Sequence, residues 1–433
     1  MGYRIGIVGG GAAGMVAAIA AAGIGARVTL LEGNDRLGKK ILSTGNGRCN
    51  LGNEKLDMEE YYSGKPDLVE RCLREFDTED MVSFFQSIGL MIKSRGGYLY
   101  PVCEQAAAVL DVLRYEVRAV GVDVVTGCKV ERIARDRNSG CIKVWEKDKF
   151  FTFDRVILAC GGKAAPKTGS DGSGYILAEQ LGHRVIPVVP ALVQLRCKED
   201  YFKAVAGVRA DAGLSVFWQG NCVARERGEL QLTDYGISGI PVFQMSRVVN
   251  YILMEKGSSI EKGMSKENEL SAEKGVSMKK GVEVVIDFLP DYTEEDFQML
   301  FLRRNLLQAE RTVEEFFTGM LHKKLMLLFI RLAGLKPAEK IGETDAGKVK
   351  RVYELCRRWS VHVVGSNSFD NAQVCAGGVS LDEVTDWLES KKAPGVYFAG
   401  EILDVDGKCG GYNLHWAWCS GYRAGTAAAR EGR

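Results

Sequence analysis

The run from Arg4 to Glu32, RIGIVGGGAAGMVAAIAAAGIGARVTLLE, constrains this chain more than any other stretch, because Gly9, Gly11 and Gly14 fall where a short apolar strand has to turn into a helix. Ile5 to Val8 is brief, rich in β-branched residues and followed by glycine, the pattern of a buried parallel strand. Gly9 permits the tight turn, Gly11 lets backbone approach a pyrophosphate with no Cβ in the way, and Gly14 lets the next helix, Met15 to Ala22, pack closely on the sheet. The first amides and positive dipole end of that helix then face the phosphates. Val28 to Leu31 is a second buried strand. Glu32 at its end stands eighteen residues beyond Gly14, where a carboxylate accepts hydrogen bonds from ribose hydroxyls and disfavours a 2′-phosphate. Glycine turns alone are common; strand, turn, helix, second strand and closing acid together specify a bound dinucleotide. FAD and NAD both meet that description, and FAD is preferred.

The remainder of the N-terminal part reads as a doubly wound sheet. Asn34 to Asn53 is a glycine-rich loop, Pro66 to Ile88 has helical spacing, and Gly97 to Val102 is a short strand. Gln105 to Val120 is a helix on Val109, Val112, Leu113 and Val117, and Val122 to Val125 a parallel-type strand. Lys129 to Arg135 opens a small antiparallel layer that Lys143 to Phe153 continues, and Asp154 to Cys160 returns to a buried strand before Gly161 and Gly162. This is the order of a Rossmann-like α/β sheet with a β-meander in its crossover. Beyond Pro187 and Pro190 the pattern shifts to short strands, at Leu192 to Arg196, Leu214 to Trp218, Cys222 to Glu226 and Glu229 to Thr233. Val282 to Phe288 is another strand; Thr293 to Gln308, Val313 to Leu332 and Lys348 to Cys356 are amphipathic helices. Gly395 to Gly400 is one more buried strand, and CGGYN at 409 to 413 opens a last helix from Leu414 to Ala429. The expected division is a discontinuous nucleotide-binding domain of residues 1–190 and 356–433, a β-rich domain of 191–250, 282–290 and 333–355, and a helical domain of 291–332. Residues 251–281, with Glu-Lys-Gly at 255, 261 and 273, read as an exposed charged insertion.

Composition removes several functions. Lys and Arg number 57 and Asp and Glu 56, so no overall charge draws the chain to nucleic acid or to a membrane surface, and neither is expected as a partner. No apolar run approaches the ~20 residues of a membrane span. Twelve cysteines without one CxxC pair, and no leader ahead of the first strand, are expected of reduced thiols in a cytoplasmic protein with no metal site. The 51 glycines of 433 residues exceed the usual ~7% and suit a chain with many close backbone approaches.

Three loops are placed to meet a cofactor. In Ser43 to Asn50, glycines expose amides while Arg48 and Asn50 offer donors. Gly161 and Gly162, with Thr168 to Gly174, bring backbone close. Gly410 to Leu414 presents amides and a positive dipole end to negative charge. No triad appears, and of the four histidines His415 is best placed, in the first turn of the last helix beside Trp416 and Trp418, with packing and acid–base work both open to it. Arg48, Tyr412 and His415 are the candidate catalytic residues. Cys49 and Cys409 flank two of the loops and lack redox spacing.

The strings GIVGGGAAG, LGKKILSTGNGRCN, GSDGSGYILAEQLGH, TDYGISGIPVFQMSR, CAGGVSLDEV and GVYFAGEILDVDGKCGGYNLHWAWCSGYRAG together resemble the FAD-dependent oxidoreductases of the aminoacetone-oxidase-like and bile-acid Δ4,6-reductase-like kind. The likeness covers most of the chain outside residues 255 to 281. It implies non-covalent FAD, with Gly9, Gly11, Gly14 and Glu32 at the ADP half, and Ala13, Gly33, Lys40, Arg48, Val130, Gly161 and Gly400 as further cofactor-binding residues. It also implies Thr44, Gly45, Asn46, Glu401, Asp404, Gly411, Tyr412, Asn413 and Leu414 around the ribityl chain and ring. Its leading implication for activity is reduction of a conjugated C=C bond in a small apolar substrate such as a 3-oxo steroid or bile acid, with NAD(P)H as donor. An oxidase of a small amine or amino ketone using O₂ is the alternative, and a non-enzymatic flavin-bound sensor or scaffold the third. No second GxGxxG marks a dedicated NAD domain, and the pocket walls are expected from residues 191 to 355. Oligomeric state is not legible.

Overall fold

The computed structural model describes residues 2–136, 138–261, 281–308 and 310–430, which divide into two compact units, Met1–Pro190 with Phe369–Arg433, and Ala191–Ser368. Most of the charged insertion expected at 251–281 lies outside the described residues; its beginning is the end of a helix, Ile240–Glu261.

In the first unit a five-stranded parallel sheet runs in the order Val396–Phe398, Arg155–Leu158, Arg4–Val8, Arg27–Glu32, Asp123–Thr126. Ile5 pairs with Val28 on one side and Arg155 on the other, and Ile5, Ile7, Leu30, Val156, Ile157 and Phe398 are fully buried, as strands covered on both faces require. The apolar run after Gly11 becomes the helix Ala12–Gly23, buried from Ala13 to Ala21. The C-terminal helix Tyr412–Ala429 packs directly on it. A Cβ at Gly421 would lie 2.4 Å from the Ala13 carbonyl oxygen, and one at Gly425 2.3 Å from that of Ala17, so the backbones touch through glycine. Residues rising together on both helices mean that the two run in one direction. The crossover carries the antiparallel layer Arg132–Arg135, Ile142–Glu146 and Lys149–Phe153. A second small sheet joins Gly52–Asn53, Tyr98–Pro101 and Ile92–Arg95.

The second unit is a closed six-stranded barrel, Leu195–Cys197, Gly236–Gly239, Asn221–Leu232, Arg209–Trp218, Val282–Asp287 and Trp359–Ser366, whose last strand pairs back with its first. Val282, Val284 and Ile286 alternate into its core, which Val242, Met245 and Val249 of Ile240–Glu261 and Leu325 and Phe329 of Lys323–Leu332 complete. Two expectations change here. Residues 356–368, assigned to the nucleotide-binding part, contain the strand Trp359–Ser366 that closes the barrel. The helical segment 291–332 belongs to the same compact unit as the barrel, because Val313, Phe316, Phe317 and Phe329 share one core with its strands. The expected helix Val313 to Leu332 is two, Val313–Phe317 and Lys323–Leu332, divided at Gly319 with its φ of 90°.

Candidate functional site

The three glycines of the first turn answer to three different requirements. Gly9 has φ 105°, and Gly14 has no room, since its Cβ would lie 1.8 Å from the Gly9 carbonyl oxygen. Gly11 has an ordinary φ of −80° and nothing within 4 Å of its missing Cβ. The fold explains the first two glycines, while Gly11 leaves open room directly at a helix N-terminus that carries no side-chain cap and no acid in its first turn. The first N–H groups of that helix have no intrahelical acceptor. A diphosphate fits that cradle.

Glu32 is buried at the end of its strand. Its Oε2 accepts from the Gly10 amide at 2.7 Å, and its Oε1 accepts from both the backbone and the side-chain amide of Asn34 at 2.7 Å. Each carboxylate oxygen has two acceptor sites, so Oε2 retains one for a ribose hydroxyl and Oε1 is filled. Asn34 was not expected in this role, although an Asn just after a strand end is a sequence signal for such back-bonding. Cys128 and Gly127 donate to the carbonyls of Glu32 and Asn34 at 2.9 and 2.8 Å, which brings Gly33 and Val130 alongside.

The TGNGRCN segment is not an open loop but a 3-10 turn, Lys39–Gly47, broken at its end by left-handed residues: Gly45, Asn46 and Gly47 at φ 55°, 53° and 82°, and Cys49 at 58°. Asn tolerates that region because its short polar side chain bonds locally. The Thr44 hydroxyl donates to the Ile41 carbonyl at 2.6 Å. Asn50 Oδ1 in this segment and Ser170 Oγ beside Gly161 are buried without a partner, two polar atoms left for a ligand to satisfy.

Three separate parts of the chain meet at Glu401. Its Oε2 lies 2.6 Å from Lys40 Nζ, its Oε1 accepts from the Cys375 amide at 2.8 Å, and a Cβ on Gly162 would stand 3.0 Å from the same oxygen. Neighbouring Gly400 lies against the first helix, where its Cβ would be 2.8 Å from that of Ala13. Gly400 is fixed further by the C-terminal helix: its amide donates to Ser420 Oγ at 2.9 Å and its carbonyl accepts from Trp416 Nε1 at 3.2 Å. Asp404 is buried, with its amide on the Val379 carbonyl at 3.0 Å. Cys375 carries no signal in the sequence, because it reaches Glu401 only through tertiary folding.

The C-terminal helix starts at Gly411, φ 91°, whose Cβ would meet the Gly52 backbone at 2.6 Å. It too lacks a side-chain cap and an acid in its first turn, so the amides of Tyr412, Asn413 and Leu414 are free to face negative charge. From the facing pairs Ala13–Gly421 and Ala17–Gly425, this helix begins about 12 Å before the start of Ala12–Gly23 at ~1.5 Å per residue. Two anion-friendly helix ends are thus offset along one direction, an arrangement suited to an elongated dinucleotide.

Several side chains stand differently from expectation. The Asn413 amide is occupied by Gly407 N at 2.9 Å and Gly407 O at 2.6 Å, so it holds a turn, and only its main-chain N–H is available. His415 is fully buried, Nε2 donating to the Phe76 carbonyl at 3.1 Å and Nδ1 without a partner; it is a packing residue and no longer a proton-transfer candidate. The Tyr412 ring is buried edge-on to Tyr61, centroids 5.5 Å apart, and burial pushes its phenol up. Arg48 is half-exposed, its Nε 3.7 Å from Glu104. Burial pushes the Cys49 thiol up to about 12, which keeps it from acting as a thiolate.

His415 gives a stability prediction. Burial lowers its pKa from 6.5, outweighing the Phe76 carbonyl, because a second proton at Nδ1 would have no acceptor. A lowered folded pKa means that stability is complete above about 6.5 and is lost as pH falls through that value toward the folded one. The Tm measured from pH 7.5 downward should fall as about pH 6 is passed, and His415→Gln, which keeps a donor for Phe76, should flatten part of the slope. The buried His183, also lowered from 6.5 by desolvation, acts in the same direction. An unchanged slope in the variant would refute this assignment.

Among the described residues, no group of His, Cys, Asp and Glu is spaced to hold a metal ion, and no helix is long and apolar enough to cross a membrane. Compared with known proteins, the sequence matches the family HI0933-like protein Rossmann domain over residues 3–427. It is similar to 3-dehydro-bile acid delta(4,6)-reductase of Clostridium scindens, 44% identical over 431 residues and 99% of each chain. It is also similar to ribosomal RNA dihydrouridine synthase of Haemophilus influenzae, 27% identical over 98% of each. Among solved structures, 3-ketosteroid-delta4-(5alpha)-dehydrogenase from Rhodococcus jostii RHA1 aligns over 99% of this chain and 97% of that one, at 15% identity and a TM-score of 0.45, too loose a likeness to bear on function.

Proposed function

The chain belongs to the HI0933-like Rossmann-domain family, and from that membership we propose that it is an FAD-dependent oxidoreductase that reduces a C=C bond conjugated to a carbonyl, with NAD(P)H as donor and a small apolar 3-oxo steroid or bile acid as substrate. The observation that carries the cofactor is Gly11, a glycine that neither backbone angle nor packing requires, at an uncapped helix end beside Glu32. The substrate class rests on the full-length 44% likeness to the bile acid reductase. The names of both relatives denote saturation of a double bond conjugated to a carbonyl, in a steroid for one and in a pyrimidine for the other. The nearly neutral charge, +1 at pH 7, supports a small substrate over a polyanion. Twelve cysteines without a CxxC pair support a reducing compartment, the cytoplasm.

The chemistry that FAD supplies when bound is two-electron hydride transfer between a donor and an electron-poor double bond. The amides after Gly11 would hold the diphosphate and Glu32 Oε2 would accept from ribose, while the Lys40–Glu401 pair ties the turn Lys39–Gly47 to Gly400–Ile402. The free amides of Tyr412, Asn413 and Leu414 stabilise negative charge that falls against them. The test is anaerobic mixing. NADH or NADPH should bleach the visible flavin absorbance, and a 3-oxo-Δ4 steroid should restore it while losing its enone absorbance. Bleaching by amines alone would instead make the protein an oxidase, and recovery only with uridine-containing RNA would move the substrate to the pyrimidine class.

A further inference from the structure

The hairpin Ile92–Arg95 and Tyr98–Pro101 turns through Gly96 and Gly97, at φ 61° and 86°, a two-residue turn whose twist matches its strands. Lys93 stands opposite Tyr100 and Arg95 opposite Tyr98. Side chains alternate along a strand, so these four share one face, while Leu99 and Pro101 on the other are buried. The polar face meets two glycine loops of the site, one in the segment Lys39–Gly47 and one before the C-terminal helix. The Tyr100 ring is 3.8 Å from the position of a Gly45 Cβ, and the Tyr98 ring 3.0 Å from that of a Gly410 Cβ.

A pocket of about 300 Å³ lies here, lined by Arg48, Arg95, Gly96, Tyr98, Tyr100 and Glu104. Its charge is unbalanced. The Glu104 carboxylate is divided between Lys93 Nζ at 2.7 Å and Arg48 Nε at 3.7 Å, which with the charge of Arg95 holds its pKa below the ordinary carboxylate value, and Arg95 itself makes no direct ion pair among the described residues. Three cations thus face one acid. A solvated strand edge would explain scattered charges, but not two tyrosine rings set against two glycine loops in one pocket with a guanidinium that makes no direct ion pair.

We propose that this pocket holds the anionic end of the substrate, a carboxylate on an apolar ring system, with Arg95 as its partner and Tyr98 and Tyr100 as walls for the rings. The planar fork of Arg matches a carboxylate through two parallel hydrogen bonds, and tyrosine supplies rigid contact area at low entropic cost. Arg95 is exposed, so a ligand reaches it from solvent. The proposal deepens the function given above and rests on it for the class of substrate. The phosphates of a nicotinamide donor share this oxyanion chemistry, and the experiment separates the two.

The test is equilibrium calorimetry on the FAD-loaded protein with oxidised flavin and no donor. The probes are a 3-oxo-Δ4 steroid with a carboxylated side chain, its methyl ester, and NADPH. The acid should bind about tenfold tighter than the ester, the size of one charge-assisted contact. Arg95→Gln should abolish that difference and leave ester affinity and flavin content unchanged, while Arg95→Lys should restore part of it. The proposal fails if the acid does not bind, if acid and ester bind alike, if the variant weakens both equally, or if only NADPH binding moves. A steroid bound with this selectivity but never reduced would overturn the reaction and keep the pocket; one reduced without acid–ester discrimination would do the opposite.

Discussion

Gly11→Ala should yield a folded protein with a weakened hold on its flavin, whereas Gly14→Ala should yield one of much lower stability. Alanine at 11 meets no atom within 4 Å and an allowed φ, so stability without cofactor should stay within about 1 kcal/mol of the parent, the small cost of Gly to Ala at an N-cap. Its methyl group stands where the phosphates are to approach, and FAD affinity should drop about 30-fold or more, ~2 kcal/mol. At 14 the new Cβ would sit 1.8 Å from the Gly9 carbonyl oxygen, a backbone atom that cannot step aside unless helix and strand part. Overpacking of that kind costs upward of ~3 kcal/mol. Flavin-to-protein ratio and the Tm of flavin-free protein read the two effects separately. Full flavin content in Gly11→Ala would refute the cradle.

The second large effect is expected at Gly421 and Gly425. Replacing glycine by alanine inside a helix ordinarily stabilises by ~0.4–1 kcal/mol, because the unfolded chain loses freedom. Here the sign should invert. Each Cβ would be driven within 2.4 Å of a carbonyl oxygen on the first helix, and the Gly421→Ala, Gly425→Ala double variant should lose ~3 kcal/mol or more in urea unfolding of the flavin-free protein. Flavin retention should fall as well, since Gly400, Ser420 and Trp416 hang on the same crossing. A stabilised double variant would show that the two helices are not held at this spacing.

The first strand, turn and helix were legible because their reasons are local: apolar period, glycine positions and a terminal acid lie within one short stretch. The barrel was not. Arg209–Trp218 and Asn221–Leu232 form one long hairpin, yet Gly228 at φ 156° and polar outward residues cut the second strand into two short readings. Gly236–Gly239 and Trp359–Ser366 close the barrel by pairing with Leu195–Cys197, a relation that spans most of the unit and leaves no periodicity to read. At the site, backbone features were foreseen better than side-chain roles. Glycines announce themselves by type, whereas the burial of His415 against Phe76, the capture of the Asn413 amide by Gly407 and the Glu401–Cys375 bond depend on neighbours far along the chain. Arg95 escaped notice because Ile92 to Arg95 looks like polar surface until it is paired with Tyr98 and Tyr100.

The contact of Ala13 and Ala17 with Gly421 and Gly425 also sets an order of events during synthesis. The diphosphate cradle emerges from the ribosome about four hundred residues ahead of the helix that fixes it, and contacts of such separation form late. The barrel, whose pairings all fall between residues 195 and 366, can assemble while the first helix still waits for its partner. Cofactor capture then waits for the helix Tyr412–Ala429, and a product truncated before it exposes an apolar Ala-rich helix with nothing to cover it.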